Sequence, residues 1–489
     1  MYKDLREWLK EVEAIGELKK IGAEVDWNEE MGAITYIVGS KMGSPALLFE
    51  NVKGYGPGKK VLFNMMGSSE NRIALAMGLK PGLSTTELIL QTRDKIKRRI
   101  PPKVIDSNKA PVKENYITGD AINLFDLPAP KMWPLDGGRY LGTGDVIITK
   151  DPDTGVVNLG TYRQMIQDKD KVGFYSSPGK DVVLHREKYW KKGEPCPVVA
   201  VYGIDPLMLM CGSQGFPRTV SEYDVIGGVK EEAVEVITGE FTGLPIPAYA
   251  EIVIEGFSYP GATMSEGPFG EFQGYYGRPE ADTPYIEVKA IYHRNNPILT
   301  SALMADYPAC EQNAFFSIIR SAKIWDDLDA LGIPGIHGVF SHPAAAGGFG
   351  MIIVSMEQHH AGHAPQVLAL TAQCPGAAYI GKWIITVDED IDPTDINRVI
   401  WAMATRCNPI EDIDFLRNTW STWLDPTQNP PEKRPYGSKA LINACKEHRN
   451  IDVFSKCSRV TRKMYDHVSS RWSELNLDGA PPVINYFEE

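Results

Sequence analysis

The spacing of apolar residues changes near residue 313, and the change predicts two differently built regions. From about residue 142 to 294, apolar and β-branched runs such as residues 146–149 and 198–201 are typical of strands. After residue 313, strand-like segments alternate with segments of helical spacing, for example residues 350–355 and then 364–373. Such alternation is typical of an α/β layer, so a strand-rich region is expected to precede an α/β domain.

The N-terminal part predicts a third region. Leu5, Trp8, Leu9 and Val12 recur at helical spacing, and Gly16 can end that helix. A chain of 489 residues is too long for one ordinary core. We therefore divide it into residues 1–125, 126–312 and 313–489.

Two finer expectations concern single segments. Residues 231–236 are predicted to be helical. The segment after residue 422 is rich in Pro, Lys and Asn, and it is predicted to form a tail that lies on a partner surface.

Composition narrows the class of protein. The formal net charge of −12 argues against a protein that coats nucleic acid. The seven cysteines contain no CxxC pair, which argues against a zinc ribbon or a disulfide framework. Residues 1–20 lack the apolar core of a signal peptide, and residues 364–387 are interpreted as a helix, a turn and a strand rather than a membrane span. We expect a cytoplasmic enzyme.

Three segments carry candidate chemistry. Residues 157–164 (VNLGTYRQ) place Asn158 and Arg163 five positions apart in a strand-like stretch, and residues 219–223 (TVSEY) contain Glu222. Residues 265–276 place Glu266 and Glu271 around a Gly-Pro turn. Two carboxylates beside an arginine can hold one acid protonated and the other ionised.

The histidines at 359, 360 and 363 suggest a zinc site at first sight, because helical i, i+4 histidines can chelate zinc. The glutamate of an HExxH motif is missing, and Gly362 weakens a helix at this place. We interpret these histidines as structural.

Together the segments resemble the UbiD family of prenylated-FMN-dependent decarboxylases. Residues 4–9 (DLREWL), 361–364 (AGHA) and 437–439 (GSK) add to the resemblance, which covers nearly the whole chain. It implies a mixed α/β fold, in which a split-β-barrel flavin domain is flanked by an α/β N-terminal region and an α/β C-terminal domain. It also implies a homodimer or a homohexamer assembled through the C-terminal domain.

The resemblance implies a site for prenylated FMN and a divalent metal, Mn²⁺ or Mg²⁺, that links the flavin phosphate to the protein. Asn158, His185 and Glu222 match the family's metal ligands. Oxygen ligands with one imidazole suit such an ion beside a phosphate. Potassium near the same phosphate is also common in the family.

Further cofactor contacts follow from the same resemblance. Ser213, Gln214 and Pro217 match a loop that covers the cofactor, and Lys382 matches a lysine that contacts its phosphate. A flavin prenyltransferase of the UbiX type is the implied supplier of the cofactor.

Arg163, Glu266 and Glu271 match the family's catalytic triad, and Arg163 also contacts the cofactor. The implied reaction is the reversible, non-oxidative decarboxylation of an aromatic or heteroaromatic acid through a covalent prenylated-FMN adduct, with Glu271 as proton donor. Two alternatives stay open: an ordinary FMN-dependent reductase, and a non-catalytic subunit of a carboxylase complex. The substrate, which could be a free acid or an acyl-CoA, and the physiological direction also stay open.

Overall fold

The computed structural model describes residues 1–422, 424–428 and 436–487. Its α-helices are α1 (Leu5–Ala14), α2 (Glu30–Gly39), α3 (Glu70–Ala76), α4 (Thr85–Lys95), α5 (Asp181–Lys191), α6 (Pro206–Gly212), α7 (Glu222–Lys230), α8 (Glu311–Ala330), α9 (His363–Gln373), α10 (Ile396–Arg406) and α11 (Arg462–Ser470).

The strands of the N-terminal and central parts are β1 (Leu18–Ile21), β2 (Ala46–Phe49), β3 (Lys60–Phe63), β4 (Lys103–Val104), β5 (Asn115–Thr118), β6 (Tyr140–Gly142), β7 (Asp145–Lys150), β8 (Val157–Gly160), β9 (Gln164–Asp168), β10 (Lys171–Gly173), β11 (Cys196–Tyr202), β12 (Glu235–Thr238), β13 (Pro245–Pro247), β14 (Ile252–Ser258), β15 (Thr263–Glu266), β16 (Ala281–His293) and β17 (Ile298–Thr300). Those of the C-terminal part are β18 (Ile336–Ser341), β19 (Met351–Met356), β20 (Trp383–Asp388), β21 (Ile413–Thr419) and β22 (Gly437–Ala444).

The first helix forms as its sequence predicts. The Asp4 side chain caps α1 by accepting a hydrogen bond from the Glu7 amide, and Leu5, Trp8 and Val12 are buried on one face. Gly16 follows the helix at φ +77°, in the left-handed region that favours glycine. Strand β1 then joins a small sheet of order β1-β2-β3-β17.

The central sheet carries most of the candidate residues. Its strand order is β6-β9-β10-β16-β14-β11-β7-β8, with β5 and β15 also pairing with β16, and it curls into a half-barrel. Strands β11 and β14 are almost fully buried because apolar residues line both of their faces. This sheet, with helices around it, confirms the predicted mixed α/β fold with a split barrel.

The C-terminal sheet has the order β18-β19-β20-β22-β21, and parallel pairs β19–β20 and β20–β22 form its centre. Strand β22 belongs to the segment predicted as a tail. That part of the prediction is wrong, because Ala440, Leu441 and Ile442 are apolar residues buried inside this sheet. Residues 423 and 429–435, also in the predicted tail, lie outside the described residues.

The predicted helix at 231–236 is also wrong. Helix α7 ends at Lys230, and Glu231 follows in the left-handed conformation at φ 59°. Val236, Ile237 and Thr238 then form β12, which pairs with β13 and β4. Three consecutive β-branched residues favour a strand over a helix at this place.

Residues 1–445 and 446–489 form two compact units. In the second unit, Thr461 caps α11 and forms an isolated bridge with Phe487. This division does not test the boundaries predicted near residues 125 and 312, nor the predicted role of the C-terminal part in assembly. Within the described ranges, no helix is long and apolar enough to cross a membrane.

Candidate active site

A cavity opens beside the curled sheet, and about 1100 Å³ of empty space lies within it and its open mouth. One wall comes from β8 and the loop that follows it, which ends at Arg163. Other lining residues are Gln312 and Phe316 of α8, and Phe349 and Tyr379 of the C-terminal part. Glu271 also lines the cavity.

Arg163 joins two buried glutamates at this wall. Its Nη1 donates a hydrogen bond to Glu271 Oε1 at 2.7 Å, and its Nη2 donates to Glu266 Oε2 at 3.0 Å. The Nε of Arg163 also lies 2.9 Å from Glu266 Oε1, so the guanidinium faces both oxygens of Glu266. The structure therefore brings together the three residues that the sequence predicted as a triad.

Aromatic rings enclose this ion cluster. The Arg163 guanidinium lies 4.6 Å from the centre of the Tyr175 ring and 5.1 Å from that of Phe269. The Tyr140 hydroxyl donates to Glu266 Oε1 at 3.1 Å. These rings and the burial of the three side chains shield the cluster from water, which strengthens the electrostatic coupling between the arginine and the two carboxylates.

The turn between the glutamates is held from outside the motif. Asp136 accepts a hydrogen bond from the Gly270 amide at 3.0 Å, and the Gly137 amide donates to the Pro268 carbonyl at 2.8 Å. A Cβ on Gly137 would overlap the Gly267 carbonyl oxygen, so a glycine is needed for this close approach. Asp136 and Gly137 thus fix the separation of the two carboxylates.

The environment of Glu271 favours a proton on its carboxyl. Burial raises the pKa of Glu271 to about 7, with Glu266 and Asp136 adding to the rise, and the Arg163 guanidinium opposes it. Burial by itself would lower the pKa of Arg163, but Glu266 and Glu271 outweigh it and raise that pKa. The cluster therefore contains a permanent cation and a carboxyl that can exchange a proton near neutral pH.

A second, adjacent cavity brings together the three predicted metal ligands. Asn158, His185 and Glu222 all line it, and Asn158 lines the first cavity as well. Thr149 is the cross-strand partner of Asn158, and its Oγ1 lies 3.0 Å from His185 Nδ1. The amide of Leu159, next to Asn158, donates to Glu222 Oε2 at 2.8 Å.

These side chains fit a divalent metal. Thr149 engages Nδ1 of His185, which leaves Nε2 for an ion. The Nδ2 atom of Asn158 is a buried donor without a hydrogen-bond partner, so it suits an acceptor such as a phosphate oxygen, while its Oδ1 is the atom that would bind a metal. Burial raises the pKa of Glu222 to about 8, and a cation beside this carboxylate would oppose that rise. Among the described residues, no cluster of three or more His, Cys, Asp or Glu could hold a metal, so this mixed set depends on its asparagine.

The predicted cofactor loop lies beside both cavities. Ser213 and Gln214 line the first, and Pro217 lines the second. Lys382 lines neither; its Nζ contacts Asp425 Oδ1 at 2.7 Å. The phosphate contact assigned to Lys382 stays a prediction that this geometry does not support.

Sequence reasoning missed several residues around the cavity. Tyr140 contacts Glu266 and Asp136 contacts the Gly270 amide, and both come from a segment that carries no recognisable motif. Lys180 is half-buried and lines the cavity. The only sequence signal for it is its position just before α5. Of the three histidines, His363 is buried and its Nδ1 accepts the His359 amide at 3.1 Å, while His359 and His360 are exposed. Their structural role stays a prediction.

The chain matches three consecutive family models. They are described as the N-terminal, Rift-related and C-terminal domains of 3-octaprenyl-4-hydroxybenzoate carboxy-lyase, and they match residues 9–91, 103–307 and 313–444. The chain therefore belongs to the UbiD family of carboxy-lyases. The predicted family and enzyme class are confirmed.

Individual relatives agree with this assignment. A phenolic acid decarboxylase from Sedimentibacter hydroxybenzoicus is 31% identical over 455 residues, which cover 91% of this chain and 92% of that protein. The vanillic acid decarboxylase of the same organism, in its closed form, superposes with a TM-score of 0.86 at 28% identity, covering 98% of this chain and 100% of that one. An evolved dimeric form of the UbiD-class enzyme HmfF from Pelotomaculum thermopropionicum, in complex with prFMN, gives a TM-score of 0.79 at 27% identity and covers 94% and 97%.

Proposed function

We propose that this protein catalyses the reversible, non-oxidative decarboxylation of an aromatic or heteroaromatic acid, with prenylated FMN and a divalent metal. The observation that carries the proposal is the buried Arg163, which joins Glu266 and Glu271 at the wall of the large cavity. The decarboxylases among the relatives support the reaction class, and the HmfF complex supports the cofactor.

The chemistry explains why a cofactor is needed. Loss of carbon dioxide from an sp² carbon leaves an electron pair that no protein side chain can delocalise. Prenylated FMN, when bound, supplies that electron sink through a covalent bond to the substrate. A flavin prenyltransferase of the UbiX type is the proposed source of the cofactor, and a homodimer or homohexamer is the proposed assembly.

Asn158, His185 and Glu222 would hold a Mn²⁺ or Mg²⁺ ion beside the flavin phosphate, with K⁺ nearby. Ser213 and Gln214 would contact the cofactor from the loop after α6. This arrangement uses the buried Glu222 carboxylate, because a bound cation would offset the cost of burying its charge.

The cluster of Arg163, Glu266 and Glu271 handles the proton. Arg163 orients both carboxylates and attracts the substrate carboxylate. When the carbon–carbon bond breaks, carbon dioxide departs, and Glu271 gives its proton to the carbon that it left. Glu271 is then a carboxylate beside Arg163, and a proton from solvent restores it. Glu266 holds Arg163 in place and keeps the pKa of Glu271 high.

The two alternatives receive less support. The hydride chemistry of a flavin reductase does not require two buried carboxylates joined by an arginine. The matching family models also describe carboxy-lyases. A non-catalytic subunit would tolerate damage to the triad, but all three residues are present and in contact.

Replacement of Glu271 by glutamine tests the proton donor. Glu271→Gln keeps the size of the side chain and removes its titratable proton, so decarboxylation should fall by at least roughly a hundredfold. Exchange of the product's ring hydrogen with deuterated water should fall equally, because exchange is the protonation step in reverse. Glu266→Gln should reduce exchange less.

The matched control is Glu311→Gln. Glu311 is also buried, and burial raises its pKa to about 7, but it accepts a hydrogen bond from the Met66 amide and does not line the cavity. Turnover and exchange near wild type in Glu271→Gln, with prenylated cofactor bound, would refute the assignment of Glu271.

A further inference from the structure

The wall of the large cavity contains a buried carboxyl group that the proposed reaction does not use. Asp145 is the first residue of β7, lines the cavity and is 0% exposed. Both of its carboxyl oxygens are buried without a hydrogen-bond partner in the described part of the chain. Buried polar groups are nearly always hydrogen-bonded, so two unpaired oxygens at a cavity wall indicate that a ligand completes them.

The carboxyl of Asp145 is neutral in this environment. Burial raises the pKa of Asp145 well above its usual value, and its own backbone amide opposes the rise. Among the described residues no cation opposes it, whereas Arg163 opposes the corresponding rise in the pKa of Glu271. A protonated carboxyl presents an O–H donor beside a carbonyl acceptor, so Asp145 can give one hydrogen bond and accept another.

The polar side chains on the adjoining strands do not supply the missing partner. Tyr202 on β11 is the cross-strand partner of Asp145, but its hydroxyl donates to Gln164 Oε1 on β9. The Nε2 of Gln164 is itself buried without a partner. A Cβ on Gly142, the cross-strand partner of Gln164, would lie 2.6 Å from Asp145 Oδ2, so this glycine leaves room for the carboxyl. The chain therefore leaves Asp145 to a group in the cavity.

Asp145 and the predicted metal site lie on the same face of one strand pair. Asp145 and Thr149 are four residues apart on β7, so their side chains point to the same face. Thr149 is the cross-strand partner of Asn158, the predicted metal ligand that lines both cavities. Four strand residues span about 13 Å. That span is comparable to the reach of an extended flavin mononucleotide from its phosphate to the pyrimidine edge of its ring.

We propose that Asp145 is a cofactor-positioning residue whose carboxyl hydrogen-bonds to the imide edge of the flavin ring. This edge carries an N–H group between two carbonyls. A neutral carboxyl matches it, because it can donate to a carbonyl and accept from the N–H at the same time. The assignment rests on the proposed function, because it takes the flavin to occupy this cavity with its phosphate near Asn158.

The test titrates metal-loaded, flavin-free protein with FMN and with 3-methyl-FMN, in which a methyl group replaces the imide proton. Flavin fluorescence gives the two dissociation constants. Wild type should bind FMN roughly 10- to 100-fold more tightly than 3-methyl-FMN, the worth of a pair of buried hydrogen bonds. Asp145→Ala should bind FMN more weakly by a similar factor and should not distinguish the two flavins. Asp145→Asn keeps a donor and an acceptor, so it should keep most of the preference.

Thermal stability separates a binding role from a structural one. Glu255 is the matched control, a fully buried carboxyl on β14 of the same sheet that does not line the cavity. It accepts hydrogen bonds from the Thr242 amide and the Tyr292 hydroxyl. Glu255→Gln should lower the Tm of the ligand-free protein, because one acceptor oxygen becomes a donor, and it should keep the preference for FMN. Asp145→Ala should leave that Tm unchanged or raised, because it removes an unpaired polar group.

Three outcomes would overturn the assignment while the proposed function stands, because wild type still binds flavin in each. They are an FMN affinity of Asp145→Ala equal to that of wild type, a wild type that binds both flavins equally, and a Tm of Asp145→Ala that falls as far as that of Glu255→Gln. If metal-loaded wild type binds neither FMN nor prenylated FMN, the proposed function fails together with the role of Asp145.

Discussion

Glu271 shows how a few contacts set the behaviour of one side chain. Burial favours its neutral form, while a hydrogen bond of 2.7 Å from Arg163 favours its ionised form. The balance brings the pKa of Glu271 to about 7, where a carboxyl can both give and regain a proton at physiological pH.

This pKa predicts the pH dependence of the reaction. Glu271 must be protonated to act as the donor, so kcat/KM for decarboxylation should be highest below about pH 7 and fall as pH rises through it. In Glu266→Gln, kcat/KM should begin to fall at a lower pH, because Glu266 is one of the charges that raise the pKa of Glu271. Initial rates across pH 5 to 9, a range of about 4 units around that pKa, would show this fall in kcat/KM. An activity that rises through pH 7 would contradict the assignment.

At the residue scale the sequence predicted the motif and not its surroundings. Arg163, Glu266 and Glu271 belong to short segments whose sequences resemble those of one family. Their proximity in the folded chain could therefore be expected. Asp136 comes from a segment without a motif. Its importance depends on its contact with the Gly270 amide, which only the folded chain reveals.

At the element scale, the predicted metal site depends on how β7, β8, α5 and α7 meet. The β7–β8 register places Thr149 opposite Asn158, and Thr149 in turn contacts His185 on α5. Glu222, the first residue of α7, reaches the Leu159 amide on β8. The sequence could name these ligands by resemblance, but the link through Thr149 depends on strand register, which no local pattern reveals.

Loss of Glu222 tests this site. Glu222→Ala should lower metal affinity by at least about tenfold and should lower flavin content with it, because one ion would join the protein to the cofactor phosphate. Elemental analysis and flavin absorbance on the same sample measure both. The control is Glu235→Ala, because Glu235 lies on β12 and accepts a hydrogen bond from Tyr249. If the metal and flavin contents of Glu222→Ala equal those of wild type, the metal site must lie elsewhere.

Elements were predicted best where one pattern dominates. Helix α1 and strands β7 and β11 follow directly from the spacing of their apolar residues. The failures were at residues 231–236 and in β22. Strand β12 pairs with β4, which lies about 130 residues earlier, and with β13, while β22 pairs with β20 and β21. Tertiary pairing overrode the local pattern in both places.

At the scale of the whole molecule, two adjacent cavities combine parts with separate tasks. Arg163 and Glu271 line the first cavity, where the C-terminal part adds Phe349 and Tyr379, and the three predicted metal ligands line the second. The fold class followed from the sequence, but the adjacency of the two cavities, which share Asn158, could be seen only in three dimensions.

The most direct measurement uses the protein produced with and without a flavin prenyltransferase of the UbiX type, the bound flavin of each sample being identified by mass spectrometry. Each sample is incubated in deuterated water with mono- and dicarboxylic aromatic acids, and the products are analysed by mass. We predict that only the sample with prenylated FMN releases carbon dioxide, and that its product carries one deuterium at the carbon that lost the carboxyl. Equal carbon dioxide release by the sample that holds plain FMN would contradict the account.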